Sequence, residues 1–205
     1  MLTFTSTVST FIALLLGTAG IVCLLTSTRG LAVLMFGAAA GLFLLPSLES
    51  GSDGSPAGFA TAAQPQPAPT AEFRTAAGKH LTLADFRGRV VLLNIWATWC
   101  GPCRSEMASL DRLQALHRND GLAVLAVSVD DDGSVAVRRF FQQSNIRNLT
   151  LYLDADNATA HAFGASAIPT TLLIDREGKV VGSLVGAMEW DSPDALALIR
   201  HYLDS

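Results

Sequence analysis

Basic side chains are almost missing from the start of this chain. Of its 14 Lys and Arg, only Arg29 precedes Arg74. The residues before Val8 therefore lack the positive start of a cleaved secretion signal. Acidic residues are nearly as scarce there, with only Glu49 and Asp53 before residue 71, which leaves 16 acidic against 13 basic residues beyond it, a net charge of −3. That mild acidity, with no Lys/Arg-rich run, argues against nucleic acid as a partner. Cysteine is scarce as well: Cys23, Cys100 and Cys103 are the only three, and His80, His117, His161 and His201 are scattered singly. A structural zinc site needs four ligands, commonly two cysteine pairs or one pair with suitably spaced histidines, and no such set is present. The chain has no internal repeat.

Long apolar runs are what it does have. Val8 to Leu25 and Leu31 to Leu45 carry no charge, and each lies near the lower end of the ~17 to 25 residues that span a bilayer as a helix. The break between them, Thr26 to Gly30, suits a turn between antiparallel spans. The expectation is a membrane anchor over residues 1–48 with helices at about 8–25 and 31–48; a single span or a cleaved leader are the alternatives. With Arg29 on the cytoplasmic side, the rest of the chain lies across the membrane, and all three readings export it. Residues 49–70, rich in Gly, Ser, Ala, Gln and Pro, read as a linker. Residues 71–205 are then a single domain of ordinary size, able to bury a core without disulfide staples.

Within that domain, "RVVLLNIW" (89–96) and "LAVLAVSV" (122–129) are aliphatic runs suited to central strands covered on both faces. Between them Met107, Leu110, Leu113 and Leu116 recur at helical spacing, making a βαβ unit. "SVAVRRFFQQ" (134–143) predicts a helix capped by Ser134, "LTLYLD" (149–154) a strand, and residues 157–163 a short helix. "TTLLID" and "KVVGSLV" flank Arg176-Glu177-Gly178 as an antiparallel hairpin. Asp191 or Ser192 caps a last helix with Pro193 early in it. The fold class is α/β, with a central mixed sheet flanked by helices.

The chemistry concentrates in "ATWCGPCRSEMASL" (97–110). Cys100 follows a strand directly and Pro102 suits the first turn of a helix, so the thiols sit at a helix N-terminus. Unpaired N–H groups and the helix dipole favour a thiolate there, and a Cys-X-X-Cys pair lowers the first cysteine's pKa below its free value. Cys100 is the expected nucleophile and Cys103 the resolving thiol. The pair reads as a redox centre, with copper handling and two inert thiols as the alternatives, and no cofactor beyond its redox-active disulfide and no metal site are expected. Cys23 reads as a small membrane hydrophobe.

The run "VVLLNIWATWCGPCRSEM" resembles the TlpA/ResA group of membrane-anchored, thioredoxin-fold thiol:disulfide oxidoreductases, and "LADFRGRVV" and "IPTTLLIDREGKVV" match its flanking stretches, covering about Phe73 to Leu203. The resemblance implies a thioredoxin-like fold and a cis bond at Ile168-Pro169 facing the cysteines, whose backbone holds the partner during exchange. It also implies that Trp99, Gly101, Pro102, Ile168 and Thr170 form the partner-binding surface. Thioredoxins proper keep a buried aspartate at the position of Asn94, and Asn cannot take a proton. Glu106, three residues after Cys103 on the same helical side, is the expected substitute, with a pKa raised by partial burial; the alternative is a surface glutamate paired with an arginine. Ala108 departs from the proline usual in the group.

These readings together describe a tethered protein-disulfide reductase at a bacterial inner membrane, its soluble domain facing the periplasm. Its partners would be protein disulfides, such as those of apocytochrome c or copper-delivery proteins, and a membrane thiol electron donor. A Cu(I)-binding chaperone and a redox-sensing membrane module are the rival readings.

Overall fold

The computed structural model describes residues 55–131, 133–154 and 156–205. The expected membrane spans at 8–25 and 31–48 lie outside them. Among the described residues no helix is long and apolar enough to cross a membrane.

The strands are β1 (Ala60–Pro67), β2 (Glu72–Thr75), β3 (His80–Thr82), β4 (Val90–Trp96), β5 (Leu122–Ser128), β6 (Tyr152–Leu153), β7 (Thr170–Ile174) and β8 (Lys179–Val185). The helices are α1 (Gly101–Leu116), α2 (Ser134–Gln143), α3 (Ala158–Ala162) and α4 (Pro193–Leu203). One sheet takes the order β1-β8-β7-β4-β5-β6-β2-β3. It is parallel where β4, β5 and β6 meet and antiparallel at every other pairing.

Every residue of β4 and β5 is buried, as expected of runs that are apolar on both faces. Val90, Leu92 and Trp96 join a core with Met107, Leu110 and Leu113 of α1 and Leu198 and Ile199 of α4. Val91, Leu93 and Ile95 alternate to the other face, where Phe73 of β2, Leu81 of β3 and Ala160 of α3 close a second core. The alternating strand pattern thus assigns α1 and α4 to one layer and the β2–β3 hairpin with α3 to the other. Gly178, at φ 76°, makes the β7–β8 turn in the left-handed region that glycine enters without strain. Ser192 caps α4, accepting the Ala195 N–H at 3.4 Å, with Pro193 in the first turn.

Three expectations are corrected. The linker expected over 49–70 contains β1, which pairs antiparallel with β8, so the folded unit starts before residue 71. Nearly all of its side chains are exposed, which removes the apolar alternation by which a strand is recognised; Phe59, buried just ahead of it, is its anchor. The strand expected over 149–154 shrinks to Tyr152–Leu153. Asp111 of α1 takes the backbone N–H groups of Arg147, Asn148 and Leu149 at 3.0, 2.6 and 3.1 Å, and these donors are satisfied without a neighbouring strand. Helix α2 does start at Ser134, but its cap is Gly133 at φ 65°, with no side-chain cap bond.

Candidate active site

The strand β4 ends at Trp96, and α1 begins after four intervening residues. Asp130, buried beyond the end of β5, shapes the loop between them: its carboxylate accepts the Thr98 N–H at 2.9 Å, the Thr98 hydroxyl at 2.5 Å and the Ser128 hydroxyl at 2.6 Å. These bonds fix the chain just ahead of the cysteines. Cys100 is the N-cap of α1 and is disulfide-bonded to Cys103. Its Sγ accepts the Cys103 N–H at 3.2 Å, so an unpaired donor of the helix's first turn points at this sulfur. Cys103 is fully buried, whereas Gly101 and Pro102 are exposed and Trp99 is 70% exposed. Helix α1 runs unbroken through Ala108.

The Ile168–Pro169 bond is cis, as the resemblance implies, and the Ile168 carbonyl oxygen lies 3.7 Å from the Cys100 sulfur. The structure thus brings this loop to the disulfide. Thr170 is buried, and its hydroxyl donates to the Ala167 carbonyl at 2.6 Å; it shapes the loop from within and offers no hydroxyl at the surface. Beside the disulfide a groove of about 390 Å³ is lined by Trp99, Val129, Asp131, His161, Ala165 and Ile168.

Glu106 lies within the core at 1% exposure, which excludes the alternative of a surface glutamate paired with an arginine. Its Oε1 accepts Asn94 Nδ2 at 2.7 Å; its Oε2 accepts the Trp190 indole N–H at 3.0 Å and the Met188 backbone N–H at 3.2 Å. Burial pushes the carboxyl's pKa up, and the bonds from Trp190, Asn94 and Met188 oppose that rise. Asn94 also donates to the Thr171 hydroxyl at 2.9 Å, and its own Oδ1 is buried without a partner among the described residues.

Sequence reasoning missed Asp130, Thr171, Met188 and Trp190, and with them Val129, Asp131 and His161 of the groove. Trp190 lies 84 positions from Glu106, and local spacing carries no signal over that separation. Its only advance sign was a bulky aromatic between two acids just ahead of a capped helix.

A buried dithiol pair closed as a disulfide at the head of a helix, beside a cis-proline loop and on a mixed α/β sheet, defines a thioredoxin-like redox domain. The Redoxin family model matches residues 63–199, more than half of the chain, and the chain belongs to that family. Over 111 residues it is 36% identical to the thiol-disulfide oxidoreductase ResA of Bacillus subtilis strain 168, covering 54% of this chain and 61% of that one. Over 109 residues it is 33% identical to ResA of Bacillus thuringiensis subsp. konkukian strain 97-27, covering 53% and 62%. The matched region is under two thirds of the length of both relatives. A crystal structure from Chlorobium tepidum, of a protein assigned as thiol:disulfide interchange protein DsbE, superposes with a TM-score of 0.61 at 31% identity, covering 68% of this chain and 97% of that one.

Proposed function

We propose that this chain is a thiol:disulfide oxidoreductase that reduces disulfides in exported proteins, tethered to a bacterial inner membrane by its N-terminal apolar region. The observation that carries the reading is the Cys100–Cys103 disulfide at the head of α1, with the Ile168 carbonyl beside its outer sulfur. ResA of Bacillus subtilis bears the name of the same activity.

In the reduced chain the Cys100 thiolate attacks a disulfide of the partner. One S–S bond forms between Cys100 and the partner, the partner's own S–S bond breaks, and the departing thiolate takes a proton. Cys103 then gives up its proton and attacks the Cys100 sulfur, which releases the second partner thiol and leaves the 100–103 disulfide. Two electrons pass from this chain to its partner. The Cys103 N–H supports negative charge on the Cys100 sulfur, and Glu106, one turn further along α1, is the group that accepts the Cys103 proton. Ile168 and Pro169 hold an extended stretch of the partner, and Trp99 with the adjoining groove receives its side chains. A dithiol donor at the membrane would restore the reduced state.

The test is a reduction potential together with trapping. A potential below about −230 mV supports a reductase, whereas one of about −120 to −180 mV marks an oxidant or isomerase. A Cys103→Ser chain should accumulate a mixed disulfide through Cys100, and Cys100→Ser should form none. Stoichiometric Cu(I) binding with no disulfide turnover would overturn the assignment.

A further inference from the structure

The loop between β8 and α4, residues 186–192, crosses α1 as a strap. Arg112 of α1 holds Asp191 with two bonds and reaches Glu189 at 3.5 Å. The Trp190 backbone N–H donates to the Ser109 hydroxyl at 3.0 Å, and its indole is fully buried. The strap therefore meets α1 at three residues, Glu106, Ser109 and Arg112, spaced three apart on one face of the helix.

What the strap delivers to Glu106 differs at its two oxygens. Oε2 receives two N–H groups, from the Trp190 indole and the Met188 backbone. Neither donor can accept a hydrogen bond, so a proton on Oε2 would face two others. Among the described residues Oε1 meets only the side-chain amide of Asn94. That amide carries an acceptor oxygen which is buried and unpartnered, and rotation of the amide would offer it to an O–H. The Thr171 hydroxyl behind it tolerates the rotation, because a hydroxyl both donates and accepts.

We propose that Trp190 is a positioning residue for disulfide exchange: its indole N–H, with the Met188 amide, occupies Oε2 of Glu106 and confines the carboxyl's proton to Oε1, the oxygen facing Asn94. The inference rests on the reading of Glu106 as the proton acceptor for Cys103. The groups bonded to this carboxyl are Asn94 from β4, with Thr171 behind it on β7, and Met188 and Trp190 from the strap; Cys103 precedes it by three residues on the same side of α1. The charge acting on it is that of Glu189, paired with Arg112 at the surface. An indole N–H stabilises the ionised carboxyl, so its removal favours the protonated form.

Infrared difference spectra of the full chain across pH read the protonated carboxyl directly, with Glu106→Gln assigning the band by its disappearance. In Trp190→Phe the midpoint of that band should rise by about one pH unit, a tenfold gain in proton affinity (~1.4 kcal/mol). The carbonyl stretch of the protonated acid should also move to higher frequency, because the C=O on Oε2 loses a donor. An unchanged midpoint and an unmoved stretch, accompanied only by a lower melting temperature, would leave Trp190 a mere packing group and overturn the proposal. If Trp190→Phe does not fold, the wild-type chain decides. The Trp190 indole N–H vibration should shift at the pH where the Glu106 band titrates and stay constant in Glu106→Gln; an indole signal indifferent to that titration overturns the proposal. Neither readout depends on turnover, so a chain that proves inactive in exchange would sink the functional reading and still report on the clamp.

Discussion

Glu106 is an acid placed where its charge is costly, and its surroundings give stability a definite pH dependence. Burial raises its pKa in the folded chain above its ordinary value, so the folded state binds this proton more tightly than the unfolded one. Its contribution to stability is full below the unfolded pKa and is lost as pH rises through the raised folded value. Glu106→Gln removes that loss. Urea unfolding of the two chains across a pH series should show the wild type losing stability relative to the variant as pH rises through that window; a wild type that instead gains stability relative to the variant would refute the sign. Asp130 makes a second residue-scale prediction. Asp130→Ala strips the acceptor from the Thr98 N–H and hydroxyl and should cost about 1–3 kcal/mol in unfolding free energy, with slower alkylation of reduced Cys100 if the loop no longer presents it. The placement of Cys100 and Cys103 at the head of α1 and of Glu106 on the same helical side was legible from spacing and capping, and the cis bond at Ile168–Pro169 from the family resemblance. Asp130 and Trp190 were not: each acts on a residue far along the chain, and only the folded sheet and strap create the contact.

Among the elements, β4, α1, β5, α4 and the β7–β8 hairpin could be read from apolar period, capping residues and turn chemistry. β1 could not, since it is held by ladder hydrogen bonds and by Phe59 rather than by an apolar face. Gly182 of β8 shows how closely that anchor fits. A Cβ there would stand 2.3 Å from the Phe59 ring and 2.9 Å from the Ala60 carbonyl oxygen, a clash with backbone as well as side chain. Gly182→Ala should therefore destabilise the domain by about 1–3 kcal/mol and release β1, seen as new proteolytic cuts between residues 55 and 67 in chains whose disulfide chemistry persists. Cleavage no faster than in wild type would show that β1 is held independently of Phe59.

For the molecule as a whole, the apolar first 48 residues and the redox domain make different demands on their surroundings. If the N-terminal region spans the inner membrane, the full chain expressed in a bacterium should stay in the membrane pellet after an alkaline wash. Its redox domain should also yield to protease added to the periplasmic side. Release into the wash would remove the tether from the reading. Strand order was the part of the architecture least visible in advance: the sequence marks the βαβ unit and the hairpin, while the pairing of β1 with β8 and of β2 with β6 depends on contacts between distant segments.

The outer strand has one more effect. An open sheet edge is a template on which another chain can zip, and the hazard grows when domains are crowded together. β1 covers β8 with a ribbon whose side chains are nearly all in water and which contains Pro65 and Pro67, residues that bring no N–H to a neighbouring strand. Crowded copies would therefore meet at this end a margin poor in donors and in apolar grip, and the same stretch that resembles a spacer in sequence would act as a guard against self-association.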